Sequence, residues 1–150
     1  MLRQLTWSTG LISFVALFTA ISPFLADFNA SHVYNAHWPG HARFHNGQTM
    51  TTGLLCGLLA LYFLWVKTSS TALENLKVAC LFAAFYWLAM APAILYPGTT
   101  FSDPALGGRQ PDYLFGFAFT QLHLDAIMVG LLLLCYRAEA RRVASSPALA

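Results

Sequence analysis

The chain has 150 residues, of which 57% are hydrophobic and only 9% are charged. A typical soluble domain carries about 25% charged residues, so this composition excludes an ordinary water-soluble protein and indicates the lipid bilayer as the main partner. The formal net charge of +2 is too small to indicate nucleic-acid binding. The three cysteines lie in apolar runs without a CxxC pair, which favours packing roles over a disulfide framework.

Four segments are long and apolar enough to cross a bilayer, which takes about 20 residues of helix. They cover residues 7–26, 40–66, 78–96 and 113–136. Each is expected to be helical because lipid leaves no partner for unpaired backbone groups. The sequence therefore predicts one all-α membrane domain, a four-transmembrane-helix up-down bundle. The first segment lacks an A-x-A cleavage pattern and is expected to be retained.

The Lys and Arg residues divide six to two between the two ends of this predicted bundle. The richer side is expected to be cytoplasmic, which places both termini in the cytoplasm. The outer loops 27–39 and 97–112 then face the extracytoplasmic space or a lumen, and residues 143–150 are expected to form a flexible tail. The six are Arg3, Lys67, Lys77, Arg137, Arg141 and Arg142, and the two are Arg43 and Arg109.

The segment after the first helix carries four of the chain's five histidines within fourteen residues. If a helix begins near Pro39, His41 and His45 stand one turn apart on one face, and Gln48 continues that face. Because lipid disfavours polar groups, this stripe is expected to face the bundle interior. The four histidines are His32, His37, His41 and His45.

Three roles for these histidines stay open. Paired imidazoles at this spacing suit Zn, Cu, Fe or Ni, and the favoured metal ligands are His37, His41 and His45. His32 is an alternative third ligand and Asp27 could add a carboxylate, although no HExxH glutamate is present. The others are acid–base or hydrogen-bonding work on a substrate, and a structural role at the wet interface. Trp38 and Arg43 are typical interfacial anchors and are also candidates for substrate binding.

A polar interruption, Gln121, His123 and Asp125, marks the fourth segment. Ionisable groups at bilayer depth cost roughly 2.5–3.5 kcal/mol and indicate function by default, while a hydrogen bond between helices is the open alternative. Gln121 and Asp125 share a helix face, and His123 projects towards Thr120. Counting 1.5 Å per residue places Asp125 near the midplane and His45 at the outer surface, which predicts a histidine layer above a polar floor.

The string WPGHARFHNGQT, residues 38–49, resembles the motif of an uncharacterised family of small four-helix integral membrane proteins of unknown function. The resemblance implies that His41, Arg43, His45 and Gln48 are the polar positions of that motif. It implies no catalytic assignment.

Together these patterns favour a membrane enzyme that performs acid–base chemistry (isomerisation, cyclisation or hydrolysis) on a small lipophilic substrate in an outward-facing pocket. This hypothesis needs no cofactor, and a metal ion is compatible with it. The alternatives are a metal- or haem-binding subunit and a non-catalytic accessory subunit, and an oligomer stays open. The expected catalytic residues are His41, His45, His123 and Asp125, and the expected substrate-binding residues are Trp38, Arg43, Gln48 and Gln121.

Overall fold

The computed structural model describes residues 4–101 and 112–145, so most of the predicted second outer loop and the last five residues of the predicted tail lie outside the described residues. A π-helical turn, Tyr62–Val66, extends the second helix, and a 3-10 turn, Ala91–Leu95, extends the third. The remaining elements are α1 (Trp7–Asp27), α2 (Gly40–Leu61), α3 (Ala72–Met90), β1 (Asp112–Leu114), β2 (Phe117–Phe119) and α4 (Gln121–Ala144).

Within the described residues, four helices are long and apolar enough to cross a membrane. Their outer surfaces carry large exposed apolar side chains, among them Phe14, Leu58, Phe85 and Leu133. Such surfaces match a lipid environment, where burial inside the protein is not needed to remove them from water. The prediction of four spanning helices is confirmed at this level.

The helices form a ring in which each packs against its neighbours along the chain, and α1 also packs against α4. At one end, which we call the inner end, Ser8 in α1 donates a 2.6 Å hydrogen bond to Glu139 in α4. At the other, the outer end, Asn46 in α2 donates a 2.8 Å bond to Asp27 in α1. The start of α1 and the end of α4 therefore lie at the same end of the bundle.

Two glycines bring α1 and α2 into close contact. A Cβ atom at Gly57 would collide with the Ala16 carbonyl and with Ala20, and one at Gly53 would collide with Pro23. Small residues one turn apart allow membrane helices to approach closely. This contact fixes which face of α2 is turned towards the bundle.

The third helix begins at Ala72, earlier than the predicted residue 78. Thr71 accepts a hydrogen bond from the Glu74 backbone, and the Glu74 carboxylate accepts one from the Thr71 backbone, which forms a capping box. The α-helix ends at Met90 and continues as a 3-10 turn that contains Pro92, because proline cannot donate the backbone hydrogen bond of a continuing α-helix.

The fourth helix differs most from its predicted range, residues 113–136. Residues 112–119 form an antiparallel hairpin instead, so the fold is mostly helical rather than all-α. Phe115 and Gly116 both have positive φ, 52° and 81°, which a two-residue hairpin turn of this kind requires. The helix starts at Gln121 and runs to Ala144, which includes Glu139 and part of the predicted tail.

Candidate functional site

Side chains from all four helices form a group of polar residues at the outer end, which we call the outer polar cluster. It consists of Asp27 from α1, Asn46 from α2, Tyr86 from α3, and Gln121 and Asp125 from α4. It contains two hydrogen-bonded pairs, Asp27 with Asn46 and Gln121 with Asp125. The Tyr86 phenol lies within electrostatic range of both carboxylates.

Asp125 is 3% exposed and has one unused oxygen. Gln121 donates a 2.8 Å hydrogen bond to Oδ1 of Asp125, while Oδ2 has no hydrogen-bond partner among the described residues. The bond to Gln121 stays within α4, at the i, i+4 spacing predicted from the sequence. In the described part of the chain, Asp125 thus makes no hydrogen bond to another helix.

The other hydrogen-bonded pair of the cluster, Asp27 and Asn46, joins α1 and α2 at the outer end. Besides its bond to Asn46, Asp27 faces His32 from the following loop, with Nε2 at 3.7 Å from Oδ1. The Asn46 side-chain oxygen is buried without a partner among the residues described. The Tyr86 side chain is buried, and its ring lies close to Gly53. At Gly53, α2 therefore borders the cluster with its backbone and contributes no side chain.

Residue counting gives the depth of the cluster, with the Ser8–Glu139 bond as a common reference level. At 1.5 Å per helical residue, Asp27 lies roughly 28 Å above that level, Gln121 roughly 27 Å and Asp125 roughly 21 Å. Asp125 therefore lies about one turn below the Asp27–Asn46 pair. Its predicted position near the midplane of the bilayer stays a prediction.

The histidine pair has its predicted spacing but not its predicted direction. Nε2 of His41 and Nε2 of His45 are 3.0 Å apart, and Nδ1 of His45 is 3.1 Å from Oε1 of Gln48. All three side chains are exposed, so the expectation that this stripe faces the interior is wrong. Close packing of Gly53 and Gly57 on α1 turns the opposite face of α2 inward.

His123 is exposed and caps its own helix. Its Nδ1 accepts a 3.1 Å hydrogen bond from the Thr120 backbone and lies 2.9 Å from the Thr120 hydroxyl. The prediction that His123 projects towards Thr120 and away from Asp125 is confirmed. The structure therefore does not bring His123, His41 and His45 together with Asp125 in one pocket.

The loop before α2 is held by the residues expected to bind substrate. Arg43 donates a 2.7 Å hydrogen bond to the Asn35 carbonyl, and the Trp38 ring meets the His32 ring edge-on at 5.3 Å. Asn35 is buried, and its side-chain oxygen accepts a bond from the His37 backbone. Arg43 and Trp38 thus order this loop.

A metal site of three ligands is not assembled in the ranges 4–101 and 112–145, where no three His, Cys, Asp or Glu side chains are grouped to hold an ion. His41 and His45 provide two convergent imidazoles, and the His37 side chain is exposed. The set His37, His41 and His45 stays a prediction that this geometry does not support.

A second buried carboxylate, Glu139, lies at the inner end, and the sequence patterns did not predict it. Glu139 is 2% exposed and accepts bonds from Thr6 at 2.9 Å and Ser8 at 2.6 Å. Arg142 contributes two further bonds, at 3.0 and 2.6 Å. The predicted helix stopped at residue 136, although the i, i+3 spacing of Glu139 and Arg142 in a helix-forming run was a readable signal.

The profile of a family of unknown function, DUF6640, matches residues 11–148, nearly the whole chain. The chain belongs to this family. Neither a curated protein nor a solved structure matches the chain. Membership in an uncharacterised family is therefore confirmed, while residues 38–49 as its marker motif stay a prediction. The matched range contains the outer polar cluster, the histidine pair and Glu139.

Proposed function

We propose that the protein is a multi-pass integral membrane protein, with both termini cytoplasmic, that performs acid–base chemistry on a small lipophilic molecule at the outer polar cluster. Asp125 is the reacting group in this proposal. The observation that carries it is the buried Oδ2 atom of Asp125, which has no hydrogen-bond partner in the described part of the chain.

An unpaired buried polar atom costs about 1–3 kcal/mol, so its presence calls for an explanation such as a ligand or a transferred proton. Several other buried polar groups of the bundle are hydrogen-bonded across helices, although the Asn46 side-chain oxygen is not. Trp87 donates to Thr19 at 2.8 Å, and Glu139 takes four bonds. Asp125 departs from this pattern, which supports a role other than holding helices together.

The chemistry available to a single carboxyl is proton transfer in both directions. In an isomerisation, the protonated Asp125 carboxyl gives its proton to one position of the substrate, and the resulting carboxylate takes a proton from another. The carboxyl is regenerated and no co-reactant is consumed. Gln121 fixes Oδ1, which leaves Oδ2 to carry the proton, and Tyr86 supplies a hydroxyl for a substrate oxygen.

An apolar groove between α3 and α4 supports the proposal that the substrate is lipophilic. It has a volume of about 280 Å³ and is lined on α4 by Val129, Leu132 and Leu133. Val129 lies one helical turn below Asp125, on the same face of α4. Asp125 does not line the groove, so the proposal requires an apolar molecule to extend past Val129 to reach the carboxyl.

The exposed pair His41 and His45 takes a secondary part in this proposal. Their two Nε2 atoms are 3.0 Å apart, a distance at which one proton is shared between the rings. The pair lies on the exposed face of α2, where it can exchange a proton with outer water. Gln48 holds the ring of His45 and, in this role, does not contact substrate.

Solvent deuterium incorporation tests the function without knowledge of the substrate. The protein is reconstituted in vesicles and incubated in D₂O with a total lipid extract of its native membranes. Mass spectrometry then measures carbon-bound deuterium in small lipophilic species. Wild type is expected to label at least one species, and Asp125→Asn to lower that labelling about 100-fold or more, as expected for loss of an acid–base group.

Glu74→Gln is the matched control, since it makes the same carboxyl-to-amide change at an exposed inner-end position. It is expected to keep the wild-type labelling. Equal labelling by Asp125→Asn and wild type, or no labelling by wild type above empty vesicles, would refute the proposed function.

A further inference from the structure

At the inner end, a second groove runs between α1 and α4, and its composition changes along its length. It has a volume of about 470 Å³. Its floor is apolar, with Trp7 and Leu11 from α1 and Leu131 and Leu134 from α4, while Arg137 and Arg141 form its rim. The groove is therefore apolar towards the membrane and strongly basic at the helix ends.

The two arginines on the rim differ from Arg142 in their ion pairing. α4 carries Arg137, Arg141 and Arg142 in its last turns. Arg142 is engaged by the buried Glu139, whereas Arg137 and Arg141 are exposed and form no ion pair with a carboxylate in the described ranges. Because they are four residues apart, both guanidinium groups face the same side of the helix.

From Arg141 to Leu131 the groove descends roughly 15 Å along α4. This equals about one leaflet of a hydrocarbon core that is roughly 30 Å thick. Trp7 is 66% exposed at the start of α1, where an amphipathic ring suits the headgroup boundary. The dimensions match a single acyl chain with its phosphate at the rim.

We propose that this groove binds one anionic phospholipid, with its phosphate held by Arg137 and Arg141 and one acyl chain against Leu131 and Leu134. Two unpaired guanidinium groups favour a headgroup of net negative charge over a zwitterionic one. The site lies at the end of the bundle opposite the outer polar cluster and does not depend on the proposed chemistry.

Native mass spectrometry with phosphatidylglycerol and phosphatidylcholine as competing probes tests this site. Wild type is expected to retain phosphatidylglycerol preferentially. Each arginine removed should lower that preference about fivefold, so the double variant Arg137→Gln/Arg141→Gln should lose most of it. The control Lys67→Gln/Lys77→Gln removes the same charge from the same end of the bundle and should keep the preference.

A separate variant tests the acyl chain. Leu134 is exposed, so Leu134→Trp fills the groove without disturbing the core. It is expected to lower phosphatidylglycerol retention several-fold, while inorganic phosphate fails to displace the lipid from wild type. Equal retention of the two lipids, an equal loss in the lysine control, displacement by phosphate, or full retention in Leu134→Trp would each overturn the proposal.

Discussion

Asp125 and Glu139 are carboxyl groups on one helix, 3% and 2% exposed, with opposite surroundings. Glu139 accepts bonds from two hydroxyl groups and from Arg142, and it links α4 to the start of α1. Within the described residues, Asp125 has one hydrogen bond, from Gln121 on its own helix, and one oxygen without a partner. The surroundings of Glu139 stabilise the fold, whereas those of Asp125 agree with the proposed role in proton transfer.

This contrast predicts different effects of the same chemical change on stability. Glu139→Gln removes the charge that holds Arg142 and two hydroxyl groups, and it should lower the free energy of unfolding by about 2–4 kcal/mol. Asp125→Asn keeps the bond from Gln121 and should change it by less than about 1 kcal/mol. Thermal unfolding of both variants in one detergent measures the difference. A loss in Asp125→Asn as large as in Glu139→Gln would make Asp125 a structural residue.

At the scale of elements, the contact between α1 and α2 determines which residues reach the site. Gly53 and Gly57 pack against α1, so Asn46 on the same face of α2 reaches Asp27. His41, His45 and Gln48 then occupy the opposite, exposed face. The rotation of α2 therefore explains why the outer polar cluster contains an asparagine and no histidine from this helix.

The same substitution at two glycines tests this packing. A methyl group at Gly57 would meet the Ala16 carbonyl and Ala20, whereas one at Gly130 would meet nothing within 4 Å. Gly57→Ala should lower the free energy of unfolding by about 1–3 kcal/mol through overpacking. Gly130→Ala should be neutral or slightly stabilising, because alanine favours helix more than glycine does. Equal melting temperatures for the two variants would contradict the close approach of α1 and α2.

Helix periodicity accounted for much of this fold and for part of the site. Four apolar segments predicted the spanning helices, and i, i+4 spacing predicted the contact between His41 and His45 and the bond between Gln121 and Asp125. These features depend only on residues near one another along the chain, so one sequence contains all the information needed to find them.

Other features depended on contacts between distant segments or on ambiguous runs. The rotation of α2 follows from Gly57 against α1, which periodicity within α2 does not reveal. The run YLFGFAF, residues 113–119, is apolar enough for a helix, but its short length around Gly116 suits a hairpin. Ending the predicted fourth helix at residue 136 left Glu139 outside it, whereas α4 runs to Ala144.

At the scale of the whole molecule, the bundle has two chemically different ends. The inner end holds the start of α1, Lys67 and Lys77, and the arginines of α4. The outer end holds the outer polar cluster and the histidine pair. Excess Lys and Arg favours the cytoplasmic side. Both proposals depend on this polarity, since one places a lipid in the inner leaflet and the other a reaction near the outer surface.

Cysteine accessibility from the two sides of the membrane tests this arrangement most directly. The native residues Cys56, Cys80 and Cys135 are buried, so single cysteines at the exposed positions Ala36 and Ser69 should dominate labelling by a membrane-impermeant maleimide. The account predicts that Ala36→Cys is labelled in intact cells and Ser69→Cys only after the membrane is opened. Labelling of both positions from the same side would contradict it.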